Sequence, residues 1–434
     1  MLWNKEVETA SLENLQTWQL TNLKQTLASA YSNVPFYKEK FDQVGFRPAD
    51  LSRFDDLAKL PFTFKNDLRE NYPFRLCAVP REEVVRVHAS SGTTGRPITS
   101  IYTEHDLAVW GECCARVITA CGLSKSDVIQ VGYGYGLFTG GLGIHQGAMP
   151  VGCTVIPTSS GVTERQVTIL RDFGVDGLFC TPSYALTIAE KASEMGVEIS
   201  KLPIRVGCFG AEPWSDEMRV EIETRMGIKA HNIYGLTELM GPGVSFSCES
   251  SDGWLHVNED HVYPEIIDPV TEEALPHGEM GELVLTSLTR QAMPLIRYRT
   301  RDISSLERKA CPHCNRTLIK MKKVFGRTDD MIIISGVNVF PSQIESLLLE
   351  VAEVEPQYVI IIRKKGYLDS LSVDVEAKPH VYDQGQEALL NIAQSIARRI
   401  HGVIGINVNV RLVAPKSIQR SEGKARRVFD TRKA

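Results

Sequence analysis

The feature that most restricts the fold of this chain is a pattern that repeats between residues 127 and 214. Short apolar runs at residues 128–131, 177–180 and 204–208 end in turns rich in glycine or proline, and amphipathic segments follow them. The Thr-Pro-Ser turn after the second run carries a hydroxyl residue suited to capping a helix. Strands that alternate with helices predict β-α-β units and a largely parallel sheet. Ligands of such sheets collect beyond the carboxyl ends of the strands, so these turns are candidate binding segments, with tight turning as the plainer interpretation.

A second constraint comes from residues 90–97, which place four hydroxyl side chains, two glycines and a cation in eight positions. Glycine allows close approach of the backbone to a ligand, and successive N–H groups in such a loop form an anion-binding concavity. This chemistry suits a polyphosphate, although the spacing is not that of the P-loop. A polar surface turn is the alternative. The candidate phosphate-binding residues are Ser90, Ser91, Gly92, Thr93, Thr94 and Gly95.

The composition changes near residues 325–330, and the sequence beyond predicts a compact α+β unit of about one hundred residues. Strands are predicted at residues 331–334, 357–363, 371–377 and 407–413, and a helix over 388–400. Ser342 followed three residues later by Glu345 predicts a capping box that opens a helix through Leu349. The chain is therefore predicted to be α/β, with a large N-terminal domain of β-α-β-based sheets (1–326) and a small, mobile α+β C-terminal domain (327–434).

Four further motifs follow the hydroxyl-rich loop, at residues 234–238, 298–302, 326–330 and 421–425. In this order and spacing the motifs resemble the adenylate-forming superfamily of acyl-CoA synthetases, luciferase-like enzymes and adenylation domains. Residues 33–37, 132–141, 260–265 and 297–302 resemble the phenylacetate–coenzyme A ligase family more closely still. The resemblance extends from about residue 10 to residue 430.

The resemblance implies a reaction in two steps: a carboxylate attacks the α-phosphate of ATP, and a thiol then displaces AMP from the acyl-adenylate. The hydroxyl-rich loop would hold the β- and γ-phosphates, and Thr237 would touch the α-phosphate. Glu238 would help to bind Mg²⁺, which prefers oxygen ligands. Lys424 would reach in from the small domain to the reacting oxygens, whereas a solvated lysine of a polar tail is the plainer interpretation.

The same resemblance implies which residues bind the nucleoside, which residue is the hinge and which residues line the coenzyme A tunnel. Asp302 would accept from the ribose hydroxyls with Arg327 nearby, and Tyr234 belongs to the nucleotide site. Asp329 corresponds to the hinge about which the small domain rotates between the two steps. Adenine would be flanked by Ala211, Glu212 and Pro213, and the coenzyme A tunnel would be lined by Ser335, Gly336, Val337 and Asn338.

The acyl pocket should be apolar with a few oriented polar groups. Its expected walls are Tyr135, Phe138, Gly140, Gly141, Ala211 and Pro242. The glycines are expected to leave room for a flat ring, so an aryl acid, above all phenylacetate, is favoured over a long alkyl chain. Tyr135 could hydrogen-bond a ring hydroxyl or only pack.

A second constellation is independent of the nucleotide motifs. Cys311 and Cys314 form a Cys-x-x-Cys pair with the spacing of zinc ligands. Cys248 and His256 could complete a structural Cys₃His site, and His313 could replace His256. Buried thiols without a metal are the alternative.

The composition of the chain argues against several other classes of protein. The 434 residues carry a net charge of −5 and no basic patch, which argues against nucleic-acid binding. The sequence contains no apolar run of membrane-spanning length, and Met1–Glu8 lacks the apolar core of a signal peptide. The ten cysteines are scattered in a way that favours a reducing cytoplasm, and the family suggests a homodimer. Loading of a carrier protein, or a non-catalytic sensor of acyl groups or nucleotides, remain as alternatives to coenzyme A ligation; Glu238, Asp302 and Lys424 argue against the sensor.

Overall fold

The computed structural model describes residues 1–90, 97–249, 252–334, 337–365 and 368–432. Its helices are α1 (Lys5–Glu8), α2 (Leu12–Asn33), α3 (Pro35–Gln43), α4 (Lys65–Glu70), α5 (Glu104–Ala120), α6 (Thr139–Val151), α7 (Thr163–Asp172), α8 (Pro182–Glu194), α9 (Asp216–Met226), α10 (Pro341–Leu349), α11 (Pro379–Tyr382) and α12 (Gln386–Ile404). In the part of the chain that the structure describes, every helix is too short or too polar to cross a membrane.

The strands are short in the first two thirds of the chain and longer near its end. They are β1 (Arg86–Ala89), β2 (Thr99–Tyr102), β3 (Val128–Val131), β4 (Thr154–Ile156), β5 (Gly177–Cys180), β6 (Val206–Gly210), β7 (Lys229–Leu236), β8 (Gly241–Phe246), β9 (Trp254–Val257), β10 (Val262–Ile267), β11 (Gly281–Ser287), β12 (Tyr298–Ser304), β13 (Leu306–Glu307), β14 (Lys320–Lys322), β15 (Gly326–Arg327), β16 (Ile332–Ile334), β17 (Val337–Val339), β18 (Val354–Lys365), β19 (Leu368–Ala377), β20 (Val408–Val413) and β21 (Val428–Asp430).

The largest sheet has the strand order β13-β14-β9-β8-β7-β6-β5-β3-β4. Its half from β4 to β7 is parallel, and β7, β8 and β9 are antiparallel. Successive side chains of a strand point to opposite faces, and accordingly Leu178 and Cys180 join a core with α7, α8 and α9, while Phe179 joins a core with α5 and α6. Both faces are covered, which explains the unbroken apolar runs of the sequence and confirms the α/β prediction.

A second, antiparallel sheet has the order β10-β11-β12-β15. Asp302 of β12 stands directly opposite Arg327 of β15 in this sheet. The pairing matters for the site because it sets a carboxylate and a guanidinium from different motifs side by side.

The C-terminal part forms the sheet β20-β19-β18-β21, with α10 and α12 packed on it. The four predicted strands and the predicted helix over residues 388–400 all occur in this part of the chain. The helix, β18 and β19 are longer than predicted, whereas β16 and β20 are each one residue shorter. The short strand β15 still pairs with the large N-terminal part. The proposed boundary after residue 326 stays a prediction.

The capping box predicted from Ser342 and Glu345 is wrong. The helix α10 begins at Pro341, and the N–H of Phe340 donates to the Gln343 side chain at 3.0 Å. Ser342 instead donates to the carbonyl oxygen of Phe325 at 2.6 Å, and Glu345 accepts from the hydroxyl of Tyr358 at 2.8 Å. The two side chains that local spacing assigned to a helix cap form hydrogen bonds with residues of other elements instead.

Candidate active site

The hydroxyl-rich loop joins the antiparallel strands β1 and β2. Ser90 closes its base, since its N–H donates to the carbonyl of Ile98 at 3.0 Å and its hydroxyl accepts from the Ile98 N–H at 3.1 Å. The predicted phosphate contacts Ser91, Gly92, Thr93, Thr94 and Gly95 lie outside the described residues.

Thr237 and Glu238 follow the carboxyl end of β7, where ligands of parallel sheets bind. Both residues are buried, and the Glu238 side chain is only 10% exposed. The Lys65 ammonium lies 3.4 Å from the Glu238 carboxylate, and Arg290 donates to the Glu238 carbonyl oxygen at 2.9 Å. The hydroxyl of Thr139, at the start of α6, lies 3.3 Å from that of Thr237.

Lys65, Arg290 and Thr139 were not predicted from the sequence. Lys65 is the first residue of α4, and its side chain is 40% exposed, so its ammonium is open to a ligand. It stands far from the other motifs along the chain. A lone lysine at the start of a polar helix gives no signal that separates it from a solvated surface residue.

Asp302 is the centre of a hydrogen-bonded group. Its carboxylate accepts from the hydroxyl of Tyr234 at 2.6 Å and from the Arg327 guanidinium at 3.0 Å. Arg327 also donates to Asp329 at 2.9 and 3.0 Å. Burial raises the pKa of Asp302, and the charge of Arg327 opposes that rise. The predicted ribose residues and the predicted hinge residue thus form one chain of contacts.

Lys424 lies near the same charged residues, although it comes from the C-terminal part, and its charge interacts with Glu238, Arg327 and Lys65. The region between these residues is called the cleft below. Its ammonium stands 5.7 Å from the centroid of the Phe138 ring, within cation–π range. Lys424 is exposed to solvent. Desolvation lowers the pKa of Lys424, and the carboxylates of Glu212 and Glu238 oppose that lowering.

The predicted acyl-pocket residues Tyr135, Phe138 and Ala211 pack against one hydrophobic cluster. Tyr135 places its hydroxyl 3.4 Å from Nδ1 of His145, and burial raises its pKa. Ala211 has a φ of 71°, a left-handed conformation that non-glycine residues seldom adopt and that often marks functional sites. Pro242 lies opposite Gly235 of β7, and its carbonyl accepts from the Trp110 indole at 2.9 Å.

The two pocket glycines have a different role from the one expected. A Cβ on Gly140 would lie 2.6 Å from a Phe138 ring atom, and one on Gly141 would lie 2.8 Å from a Tyr135 ring atom. The aromatic rings therefore already occupy the space beside them. These glycines let α6 pack closely against the preceding loop, and the room for a substrate ring must come from elsewhere.

The predicted coenzyme A segment is only partly described. Ser335 and Gly336 lie outside the described residues. Val337 and Asn338 lie in β17, which pairs with β16, and Asn338 is exposed. The tunnel assignment stays a prediction.

Sequence comparisons place this chain in a known family. The family model described as AMP-binding enzyme matches residues 20–290, and the model for the AMP-binding enzyme C-terminal domain matches residues 336–432. The phenylacetate-coenzyme A ligase of Pseudomonas putida is 50% identical over 434 residues, which cover 99% of this chain and 97% of that relative. The chain belongs to the phenylacetate–coenzyme A ligase family.

Two crystal structures of 2-hydroxyisobutyryl-CoA ligase match this chain to different degrees. The postadenylation state with bound 2-HIB-AMP has a TM-score of 0.94 at 29% identity, covering 99% of this chain and 92% of that one. The thioesterification state with 2-HIB-AMP and CoA has a TM-score of 0.74 at 30% identity, covering 100% and 93%. Sequence identity and coverage are nearly equal in the two comparisons, so the difference in TM-score reflects how the two parts of each molecule are arranged. This phenylacetate–coenzyme A ligase family member resembles the postadenylation state.

The same arrangement changes the interpretation of Glu212. Its side chain is partly buried and accepts from the backbone N–H of Ser183 at 2.9 Å and from that of Ala425 at 2.9 Å. The carboxylate is therefore directed at the segment that carries Lys424. An adenine contact from this position would have to use the backbone of residues 211–213.

The second constellation also comes together. The ligand atoms of Cys248, His256, Cys311 and Cys314 all lie within 4.8 Å of one another. The sulfurs of Cys248 and Cys311 are 3.8 Å apart, and the sulfur of Cys314 is 3.4 Å from Nε2 of His256. A tetrahedron with Zn–S bonds of about 2.3 Å and Zn–N bonds of about 2.0–2.1 Å has edges of about 3.8 and 3.5 Å. The donor set fits zinc, and the exposed His313 lies outside it.

Proposed function

We propose that this chain ligates phenylacetate to coenzyme A through an acyl-adenylate. In the first step a carboxylate oxygen attacks the α-phosphorus of ATP, and pyrophosphate leaves. In the second step the thiolate of coenzyme A attacks the acyl carbon, and AMP leaves. Membership of the family carries the proposal, and the convergence of Lys424, Glu238 and Asp302 in one cleft supports it.

Lys424 is assigned to the first step. Two anions, the substrate carboxylate and the triphosphate, must approach each other, and an ammonium aimed at their oxygens neutralises charge where it develops. Lys65 offers a second cation 3.4 Å from Glu238. Together with the hydroxyl-rich loop and Thr237, these cations supply the counter-charge that a polyphosphate requires.

Glu238 is assigned to hold Mg²⁺, since a buried carboxylate at the end of β7 is a hard oxygen ligand beside the expected phosphates. When bound, the ion would screen the charge of the phosphates. Tyr234, Asp302 and Arg327 are assigned to the ribose, because the Asp302 carboxylate retains lone pairs beyond its two observed contacts.

The second step is assigned to a rotated arrangement in which the small domain, 327–434, turns about Asp329. The residues Ser335, Gly336, Val337 and Asn338 would then face the cleft and the pantetheine arm. The acyl group would lie against Tyr135, Phe138, Ala211 and Pro242, while Gly140 and Gly141 would let α6 pack closely behind the two rings.

Three further assignments complete the proposal. Zinc is held by Cys248, His256, Cys311 and Cys314 in a structural role, since four protein ligands leave no open position. A cytoplasmic location agrees with thiols that must stay reduced to bind a metal. The homodimer stays a prediction from the family resemblance.

The test measures pyrophosphate release and thioester formation separately over a panel of acids. Phenylacetate should release pyrophosphate with ATP alone and should yield a thioester only when coenzyme A is added. A phosphopantetheinylated carrier protein in place of coenzyme A tests the alternative acceptor. Binding of ATP without pyrophosphate release for any acid would overturn the proposal in favour of a sensor.

A further inference from the structure

The peptide groups on both sides of Lys424 are anchored to the large part of the molecule. The carbonyl oxygen of Gly423 accepts from the hydroxyl of Thr181 at 2.8 Å, and the hydroxyl oxygen of Ser183 lies 3.2 Å from it. The N–H of Ala425 donates to the Glu212 carboxylate at 2.9 Å. Hydrogen bonds therefore fix the backbone on both sides of Lys424, at Gly423 and at Ala425.

Glu212 and the start of α8 form one unit in this contact. The second carboxylate oxygen of Glu212 accepts from the N–H of Ser183 at 2.9 Å and also contacts the Ser183 hydroxyl. Thr181 caps α8 by accepting from the N–H of Tyr184 at 3.3 Å. The helix terminus therefore orients the carboxylate, and the carboxylate in turn orients the Lys424 backbone.

A second attachment lies further along α8. Arg420 donates to Glu190 of α8 at 2.6 and 2.7 Å and to Glu376 of β19 at 2.7 and 2.9 Å. This ion-paired group joins the small sheet to α8, but it stands four residues before Lys424. It can hold the parts together without fixing the lysine.

We propose that Glu212 is a positioning residue that holds Lys424 in the arrangement for adenylation. This inference rests on the proposed function. A lysine is a point charge on a long, flexible stem, so its effect at a reacting centre depends on where its backbone is held. The Ala425 bond is a hydrogen bond between separate parts of the molecule, so it breaks when the small domain turns for the second step. Glu212 therefore favours one half-reaction over the other.

The alternative is a purely structural role, in which Glu212 only satisfies the end of α8. If Glu212 has only that role, replacing it should lower the stability of the protein and should lower the rates of both half-reactions equally. Positioning predicts a selective loss of adenylation that depends on Lys424.

The variant Glu212→Gln tests the distinction because it keeps the shape of the side chain. An amide has one acceptor oxygen, so either Ser183 or Ala425 must face an NH₂ group. We expect adenylate formation to fall roughly tenfold or more, the scale of a lost hydrogen bond to a charged group. Thioester formation from supplied phenylacetyl-adenylate should stay within about twofold. The control Glu355→Gln removes another contact between the two parts, the 2.7 Å bond from Arg225, and should change neither half-reaction by more than about twofold.

A double-mutant cycle supplies the second readout. In a Lys424→Ala background, Glu212→Gln should cause no further loss of adenylation. An additional tenfold loss in that background, an equal loss in both half-reactions, or no loss at all would overturn the proposal. If the unmodified protein formed no adenylate from phenylacetate, the proposed function would fail instead, so the two failures are distinguishable.

Discussion

The charged cleft around Lys424 and the cysteine cluster are both assembled from distant parts of the chain, yet they are built in opposite ways. In the cleft, Lys424 is exposed and Lys65 is 40% exposed, so their charges are open to a ligand. In the cluster, three of the four side chains are buried and all four ligand atoms face one another. An open set of charges can act on a substrate, whereas a closed set of donors can only hold what it encloses. The cleft should therefore govern rates, and the cluster should govern stability.

The largest expected effect tests the cleft. Replacing Lys424 by alanine should slow adenylate formation on the order of 10² to 10³, the scale for losing one charge-stabilising donor. Thioester formation from preformed acyl-adenylate should survive, because the proposed rotation of the small domain would move the lysine away by that step. Rapid-quench assays of each half-reaction measure the split. Equal losses in both steps would remove the assignment of Lys424 to one arrangement.

The cluster is tested by Cys311→Ser. The unmodified protein should contain about one zinc per chain, and the variant should lose it and melt roughly 5 °C lower or more, because metal binding contributes to folding. The Michaelis constant for ATP should change by less than about twofold. Cys77→Ser is the matched control, since the thiol of Cys77 lies outside the cluster. Elemental analysis that finds no zinc in protein purified without chelator would contradict this prediction.

The third prediction concerns the acyl side of the cleft. Phenylacetate should exceed acetate in kcat/KM by at least about tenfold, since each buried methylene-sized group contributes about 0.8 kcal/mol. It should also exceed octanoate by about tenfold, because the proposed aryl pocket is shaped for a ring and because ordering a flexible alkyl chain costs conformational entropy. Phe138→Ala should erode the ratio of phenylacetate to octanoate. The ratio is the proper readout because Phe138 also lies under the Lys424 ammonium, and any effect through the lysine applies to both acids. Equal kcat/KM values for octanoate and phenylacetate in the unmodified protein would contradict the aryl-acid assignment, but they would not contradict the assignment of an adenylation step.

The smallest effect is a pH dependence that separates the half-reactions. Desolvation lowers the pKa of Lys424, so the ammonium loses its proton at a lower pH than an ordinary lysine does. The rate of adenylation should therefore be at its maximum below that pKa and should decline by up to about tenfold per pH unit above it. Thioester formation should lack this decline. A parallel decline in both pH profiles would show that some other group titrates.

The apolar runs were sufficient to predict the parallel sheet, because a strand buried on both faces needs apolar side chains at every position. Local spacing failed where a tertiary partner competed. Ser342 and Glu345 have the spacing of a capping box, but Phe325 and Tyr358 bind them instead. Gly140 and Gly141 were expected to leave space, whereas the rings of the preceding loop already fill it.

The amino-acid sequence predicts the α/β class, the order of the motifs and the residue types from which a nucleotide site and a zinc site can be built. The packing of the folded chain places His256, and not His313, beside the three cysteines, and it brings Lys65 to Glu238 and Glu212 to Ala425. These contacts could not be predicted because the residues are distant along the chain. Periodicity and spacing report neighbours within one element, whereas these contacts join residues that are tens to hundreds of positions apart and become adjacent only when sheets and helices pack.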